Sequence, residues 1–185
     1  MTDIRYSCEL LKLFHRSPDL KERIELVVRG YFNDLDHVRF GRASKSAYYD
    51  PRGHTVRLTG GSSIYVIGHE ITHFLQDKYN FPDGIARYPK GELACDLFLF
   101  ARSPDLVADV WDWGDSSYLG KEIGEYRLKK YYGMKEGRAM VHEVCSMAVA
   151  RRDEGNRNYI SWAENEIKRR IMERAAISHE KSSIE

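Results

Sequence analysis

One short stretch, His69-Glu70-Ile71-Thr72-His73, combines residue types and spacing that can do chemistry. On a helix, residues four apart lie one above the other on the same face. Both imidazoles can therefore reach a single metal ion at about 2.0–2.1 Å each. Glu70 sits one step round the helix from His69, where it can meet a water on that ion without ligating the ion itself, as a general base must. The stretch lies in an apolar segment, with Ile64-Tyr65-Val66-Ile67-Gly68 before it and Phe74-Leu75 after it. Two histidines and a glutamate on a largely buried helix are costly to desolvate without a partner, and a metal ion supplies one.

A catalytic zinc takes three protein ligands and keeps one position open. Glu92 follows His73 after an 18-residue gap, residues 74–91, and Asp96 follows Glu92 at i+4. If a helix carries both, the two carboxylates share a face. One can ligate while the other accepts the free ring N–H of a ligand histidine. Glu92 also suits an ordinary first helical turn. Cys95 reads as a small buried residue, its i+3 offset from Glu92 leaving its facing open.

These residues need elements to position them. Ile64 to Tyr79 is predicted as a helix, entered from Gly60-Gly61-Ser62-Ser63. Upstream, Val38 to Ala43, Ala47 to Asp50 and His54 to Thr59 read as short strands, with Pro51-Arg52-Gly53 turning the chain between the last two. Residues 3–16 carry Ile4, Cys8, Leu11 and Phe14 at helical spacing, and a second helix is predicted from Ser17-Pro18-Asp19 to about Tyr31. Downstream, helices are predicted at about 92–102, 104–112, 118–132, 135–153 and 158–178, with a frayed polar tail from Ser178 on. The expected fold is α+β, a small twisted sheet in the N-terminal part packed on the active-site helix, followed by a mostly helical C-terminal half. The expected organisation is a single domain over 1–185, with the sheet and active-site helix in about 1–80 and the helices in about 91–178. An extended substrate is expected to add to the strand His54 to Thr59, which runs straight into the helix.

Composition narrows the classes. At 185 residues, 42% hydrophobic and 31% charged, the chain is an ordinary globular one. With 29 Lys and Arg against 28 Asp and Glu, the net charge is +1, so no global field points to nucleic acid or to an anionic membrane. Lys168-Arg169-Arg170 is diluted by Glu164, Glu166 and Glu173. Cys8, Cys95 and Cys145 are odd in number and widely spaced, which fits reduced thiols and a cytoplasmic location. Asp3, Arg5 and Glu9 break any apolar leader, and the apolar run Leu93 to Ala101 is too short to span a bilayer.

The pattern H-E-I-T-H, an 18-residue gap and E-x-x-x-D over residues 69–96 resembles the gluzincin metallopeptidases. The small size looks like their compact archaeal representatives, the minigluzincins, some of which are held inactive by their own terminal segment. The resemblance implies one zinc ion per chain, with His69, His73 and Glu92 as ligands and Glu70 as general base and proton shuttle. It also implies that Asp96 orients a ligand histidine, by analogy His69. A downstream His or Tyr would stabilise the oxyanion. His142 and Tyr126 are the leading candidates here, among Tyr118, Tyr131, Tyr132 and Arg138. The Gly-x-Met-Glu-Asn segment of the aminopeptidase branch does not precede the helix, so recognition of a free substrate amine is not implied.

The expected function is that of a zinc-dependent metallopeptidase hydrolysing peptide bonds in a peptide or protein substrate, as an endopeptidase. The alternative is a regulatory module that retains the metal site and cleaves nothing, or one partner only.

Overall fold

The computed structural model describes residues 2–31, 33–78, 90–106 and 125–182, the last without the side chains of 125–129, 134 and 179–182. The architecture is α+β. The chain divides into two compact units, Met1–Cys95 and Asp96–Glu185.

The first unit opens with strand β1 (Asp3–Tyr6), then helices α1 (Cys8–Phe14) and α2 (Asp19–Gly30). Residues 3–6 thus form a strand, not the first turn of a helix. Their burial alternates along the chain, and Ile4 and Tyr6 lie in register with Val38 and Phe40 of β2 (His37–Arg42). Helical spacing from Ile4 to Cys8 misleads here, because a strand of four residues is stabilised by a partner about thirty positions away. The helix begins where Ser7 caps it, its hydroxyl accepting from the Leu10 amide. It buries Leu10 rather than Leu11.

Strands β3 (Tyr48–Asp50) and β4 (Thr55–Leu58) complete a sheet of order β1-β2-β4-β3. The β1–β2 and β2–β4 pairings are parallel, and β3 with β4 forms the antiparallel hairpin that the Pro51 turn predicts. Asp50 closes that turn by accepting from the Arg52 and Gly53 amides at 3.2 and 3.4 Å. The strand offered as the sheet edge, β4, is therefore interior, and among the described strands β3 and β1 are the edges. Along β2, Val38 and Phe40 are buried while His37 and Arg39 are exposed, the period-2 pattern of a sheet with one covered face.

Helix α3 (Ile64–Lys78) covers the sheet, packing on β3, β4 and α2. Its entry is fixed by the Ser63 hydroxyl, which accepts from the Val66 amide at 3.2 Å. The Arg23 guanidinium ties α2 to the carbonyls of Gly60 and Ser62 just upstream. Leu10, Leu20, Ile24, Val27, Phe40, Val56, Leu58, Ile67, Ile71 and Leu75 form the core, each worth about 1.5–3 kcal/mol against exposure. Among them the Tyr31 hydroxyl reaches Thr72 Oγ1 at 2.7 Å and the Gly68 carbonyl at 3.1 Å. This polar contact, made wholly inside the core, fixes the rotation of α3 about its axis.

Helix α4 (Glu92–Phe100) runs from the first unit into the second. The second unit continues through a 3₁₀ turn at 104–106 to α5 (Glu125–Asp153) and α6 (Tyr159–Ser182). α5 is broken at Gly133, with φ 72° and ψ 177°, a conformation nearly restricted to glycine. Val141, Val144, Cys145 and Ala148 of α5, and Ala163, Ile167 and Ile171 of α6, are buried. α6 stays helical through Ser182, past the tail boundary expected at Ser178. Tyr118 and Trp111-Asp112-Trp113 lie outside the described residues. No described helix is long and apolar enough to cross a membrane.

Candidate metal centre

Helix α3 buries one face and turns the other toward the first turn of α4. Ile67, Ile71 and Leu75 carry the buried face, and His69, Glu70 and His73 lie on the side that lines a groove. His69 Nε2 is 2.8 Å from Glu92 Oε2, and His73 Nε2 is 3.2 Å from that same oxygen. The two imidazole rings stand 4.9 Å apart at 80°. Two ligands on a tetrahedral zinc, each about 2.0–2.1 Å from the ion, are about 3.3 Å apart. The three sequence-predicted ligands are thus brought together.

Hydrogen-bond logic fixes one ring. Gln76 Nε2 donates to the Gly91 carbonyl at 3.1 Å, a partner that can only accept. The Gln76 carbonyl oxygen therefore faces His73 Nδ1, 3.0 Å away, and the Nδ1 proton is the donor. In neutral His73 this leaves the Nε2 lone pair aimed at a carboxylate oxygen. Two acceptors at that distance need a cation between them, a proton or a metal ion. One metal ion satisfies both imidazoles and the carboxylate together, so the donor set fits the group that the spacing implies. Gly91 accommodates this tie with φ at 116°, a backbone favoured by glycine.

Glu70 is partly buried beside the two histidines. Burial raises its carboxyl above the ordinary range, against the two imidazoles and the Tyr49 amide, which pull it down. The groove has a volume of about 560 Å³. Tyr48, Tyr49 and Pro51 wall one side, and Lys90 and Gly91 lie beside Glu92 on another. Tyr49 OH donates to Asp77 at 2.6 Å, which raises its pKa together with burial, the larger cause. Tyr49 also meets Phe74 edge-on at 6.0 Å. Both tyrosines come from β3, an edge strand of the sheet, and the Tyr49 amide on that edge donates to Glu70.

Cys95 is buried, as its sequence context implies, and it also lies against His73, a contact the sequence does not announce. Its sulfur lies 3.4 Å from His73 Nδ1 and 3.8 Å from Nε2. His69, His73 and Cys95 offer donor atoms within 4.8 Å of one another. The i+3 offset from Glu92 is compatible with a shared face of α4, but only the rotation of that helix in the fold settles it.

The remaining candidates belong to the second unit. Asp96 is fully buried there, and its charge joins burial, the larger cause, in pushing the Cys145 thiol up. His142 is half-buried on α5, with Nε2 3.5 Å from Ser146 Oγ and its pKa lowered by burial. Tyr126 lies on the same helix, and its side chain is outside those described.

Comparison of the chain with family models, with curated proteins and with solved structures returns no match.

Proposed function

We propose that the chain is a zinc-dependent metallopeptidase of gluzincin type, acting as an endopeptidase on an extended peptide or protein segment. One observation carries the reading: two imidazole nitrogens, one held in its tautomer by Gln76, meet a single carboxylate oxygen at 2.8 and 3.2 Å beside Glu70. Two imidazoles and a carboxylate suit zinc better than magnesium or calcium, which prefer all-oxygen shells. When bound, zinc supplies Lewis acidity toward a scissile carbonyl and lowers the pKa of water toward 7.

The chain's own residues supply the rest. Glu70 takes the proton of the attacking water on its carboxylate and returns it to the leaving amine. A carboxyl raised by burial is closer to the pH at which it must exchange protons. Tyr48 and Tyr49 of β3 give apolar area beside the site for an extended substrate. Cys8, Cys95 and Cys145 form no disulfide, which supports a reducing cytoplasmic setting.

Incubation of the zinc-loaded protein with a mixed peptide library, followed by mass spectrometry, tests this. Internal cleavage that falls by about 10²–10⁴-fold in Glu70→Gln is expected. Cleavage that persists in that variant contradicts the assignment.

A further inference from the structure

Asp77 lines the groove and has no part in the hydrolytic step. It stands on α3 four residues after His73, so the two share a helix face. At about 1.5 Å of rise per residue it lies about 6 Å beyond His73 along the helix axis. Two side chains of the β3–β4 hairpin hold it there. The Tyr49 hydroxyl donates to Asp77 Oδ2 at 2.6 Å, and His54 Nδ1 is 3.2 Å from the same oxygen. His54 Nδ1 is also 3.1 Å from the Tyr49 oxygen, whose one proton already goes to Asp77. Nδ1 therefore faces two acceptors and is itself the donor. His54 makes this contact with φ at 43°, a conformation uncommon outside glycine.

Tyr49 also ties Asp77 to the general base, because its amide donates to Glu70. The carboxylate is thus held in a fixed relation to the reacting centre. Both side-chain donors use Oδ2. Among the described residues none pairs with Oδ1, and no lysine or arginine pairs with Asp77. Lys90 lines the groove beside Glu92 instead. An oriented carboxylate with a spare oxygen, facing a groove, is a receptor for a cation. Tyr49 and Pro51 line the same groove and give apolar area along which a methylene stem can lie. A cation on such a stem is a lysine or an arginine, and the four-carbon stem of lysine covers about 6 Å.

We propose that Asp77 is the specificity-determining residue of the groove and takes the cationic side chain of a lysine or arginine next to the scissile bond. This rests on the reading of the groove as a peptidase site. The substrate ammonium or guanidinium donates to Oδ1, while Tyr49 and His54 keep the carboxylate turned toward it.

The test is digestion of a mixed-sequence peptide library by the zinc-loaded full chain, with mass spectrometry reading the residues on either side of each cut. Lysine and arginine are expected to exceed methionine and glutamine at one of those two positions by about 10–100-fold, the worth of one hydrogen bond between charged partners. Asp77→Asn keeps an acceptor for Tyr49 and His54 and removes the charge, so it is expected to abolish the preference. If Asp77 only clamps the hairpin, that substitution slows all cuts alike and leaves the preference unchanged. An unchanged preference in Asp77→Asn, or no preference in the unsubstituted protein, overturns the proposal and leaves the peptidase standing. Absence of cleavage, or cleavage that survives Glu70→Gln, removes the peptidase reading and this subsite with it. Binding gives a readout without turnover. In fluorescence anisotropy with zinc-loaded Glu70→Gln, a labelled lysine peptide is expected to bind more tightly than its methionine counterpart by that same factor, and equal affinities overturn the proposal.

Discussion

Gln76 accepts the Nδ1 proton of His73 at 3.0 Å and hands its own amide proton to the Gly91 carbonyl. A single amide thus fixes the tautomer of one imidazole and ties the helix that bears the histidines to the entry of the helix that bears Glu92. Partners of this kind typically change metal affinity 10–100-fold. Gln76→Leu is expected to weaken zinc binding by about that factor, measured by competition with a chromophoric chelator. Gln76→Glu keeps the acceptor for Nδ1 and is expected to lose less. Equal affinities for all three proteins would mean that the ring needs no such support.

Tyr31 makes a separable contribution. Its hydroxyl is buried between Thr72 and the Gly68 carbonyl, and Thr72 keeps its own bond to Gly68 at 2.9 Å without it. Tyr31→Phe is expected to cost about 0.5–1.5 kcal/mol, a fall in Tm of roughly 2–4 °C per kcal/mol for a chain of this size. Thermal unfolding followed by circular dichroism reads this directly. A larger loss than about 3 kcal/mol would show that Thr72 depends on the phenol for its satisfaction.

The central motif was legible from sequence, and the reason is local. His69, Glu70 and His73 are spaced by the helix repeat itself, and the apolar residues around them announce the helix. The Glu92 assignment rested on a gap length, and the geometry brings that carboxylate to both rings. The entry signals, the β3–β4 hairpin and the break at Gly133 are likewise local events. What escaped depends on distant partners. Strand β1 is defined by its register with β2, so Ile4 looked helical on its own. The parallel crossover that puts β4 between β2 and β3 leaves no mark in the Thr55–Leu58 segment. Cys95 could be placed on the ligand face only once α4 had a fixed rotation.

Gly133 interrupts α5 at φ 72° and ψ 177°. A side chain at this position carries backbone strain of about 1–3 kcal/mol. Gly133→Ala is expected to lower stability by about that amount in denaturant unfolding. An unchanged or raised midpoint would indicate that α5 prefers to run straight.

On α6, Glu166 accepts from Arg169 at 2.7 Å and Arg170 at 2.9 Å, with only 14% of its side chain exposed. The Arg169 bond, first among the causes, holds the carboxyl down to about 2, against an ordinary value of 4.5. A lowered folded-state pKa means a stabilising contribution that is full above the ordinary carboxylate range and lost as pH falls through about 2. Glu166→Gln is expected to cost about 0.5–1 kcal/mol at pH 7. The gap between the two proteins should narrow steadily as unfolding is measured at lower pH. A gap that is independent of pH would assign the loss to packing.

The account stands or falls on whether the two imidazoles and Glu92 hold an ion. Isothermal titration of the metal-free chain with zinc is the direct measurement, repeated with Glu92→Ala and Glu70→Gln. One equivalent is expected to bind the native chain and Glu70→Gln alike, with affinity reduced by at least about 100-fold in Glu92→Ala. Zinc that fails to bind at a single site, or binds equally well without the Glu92 carboxylate, contradicts the account.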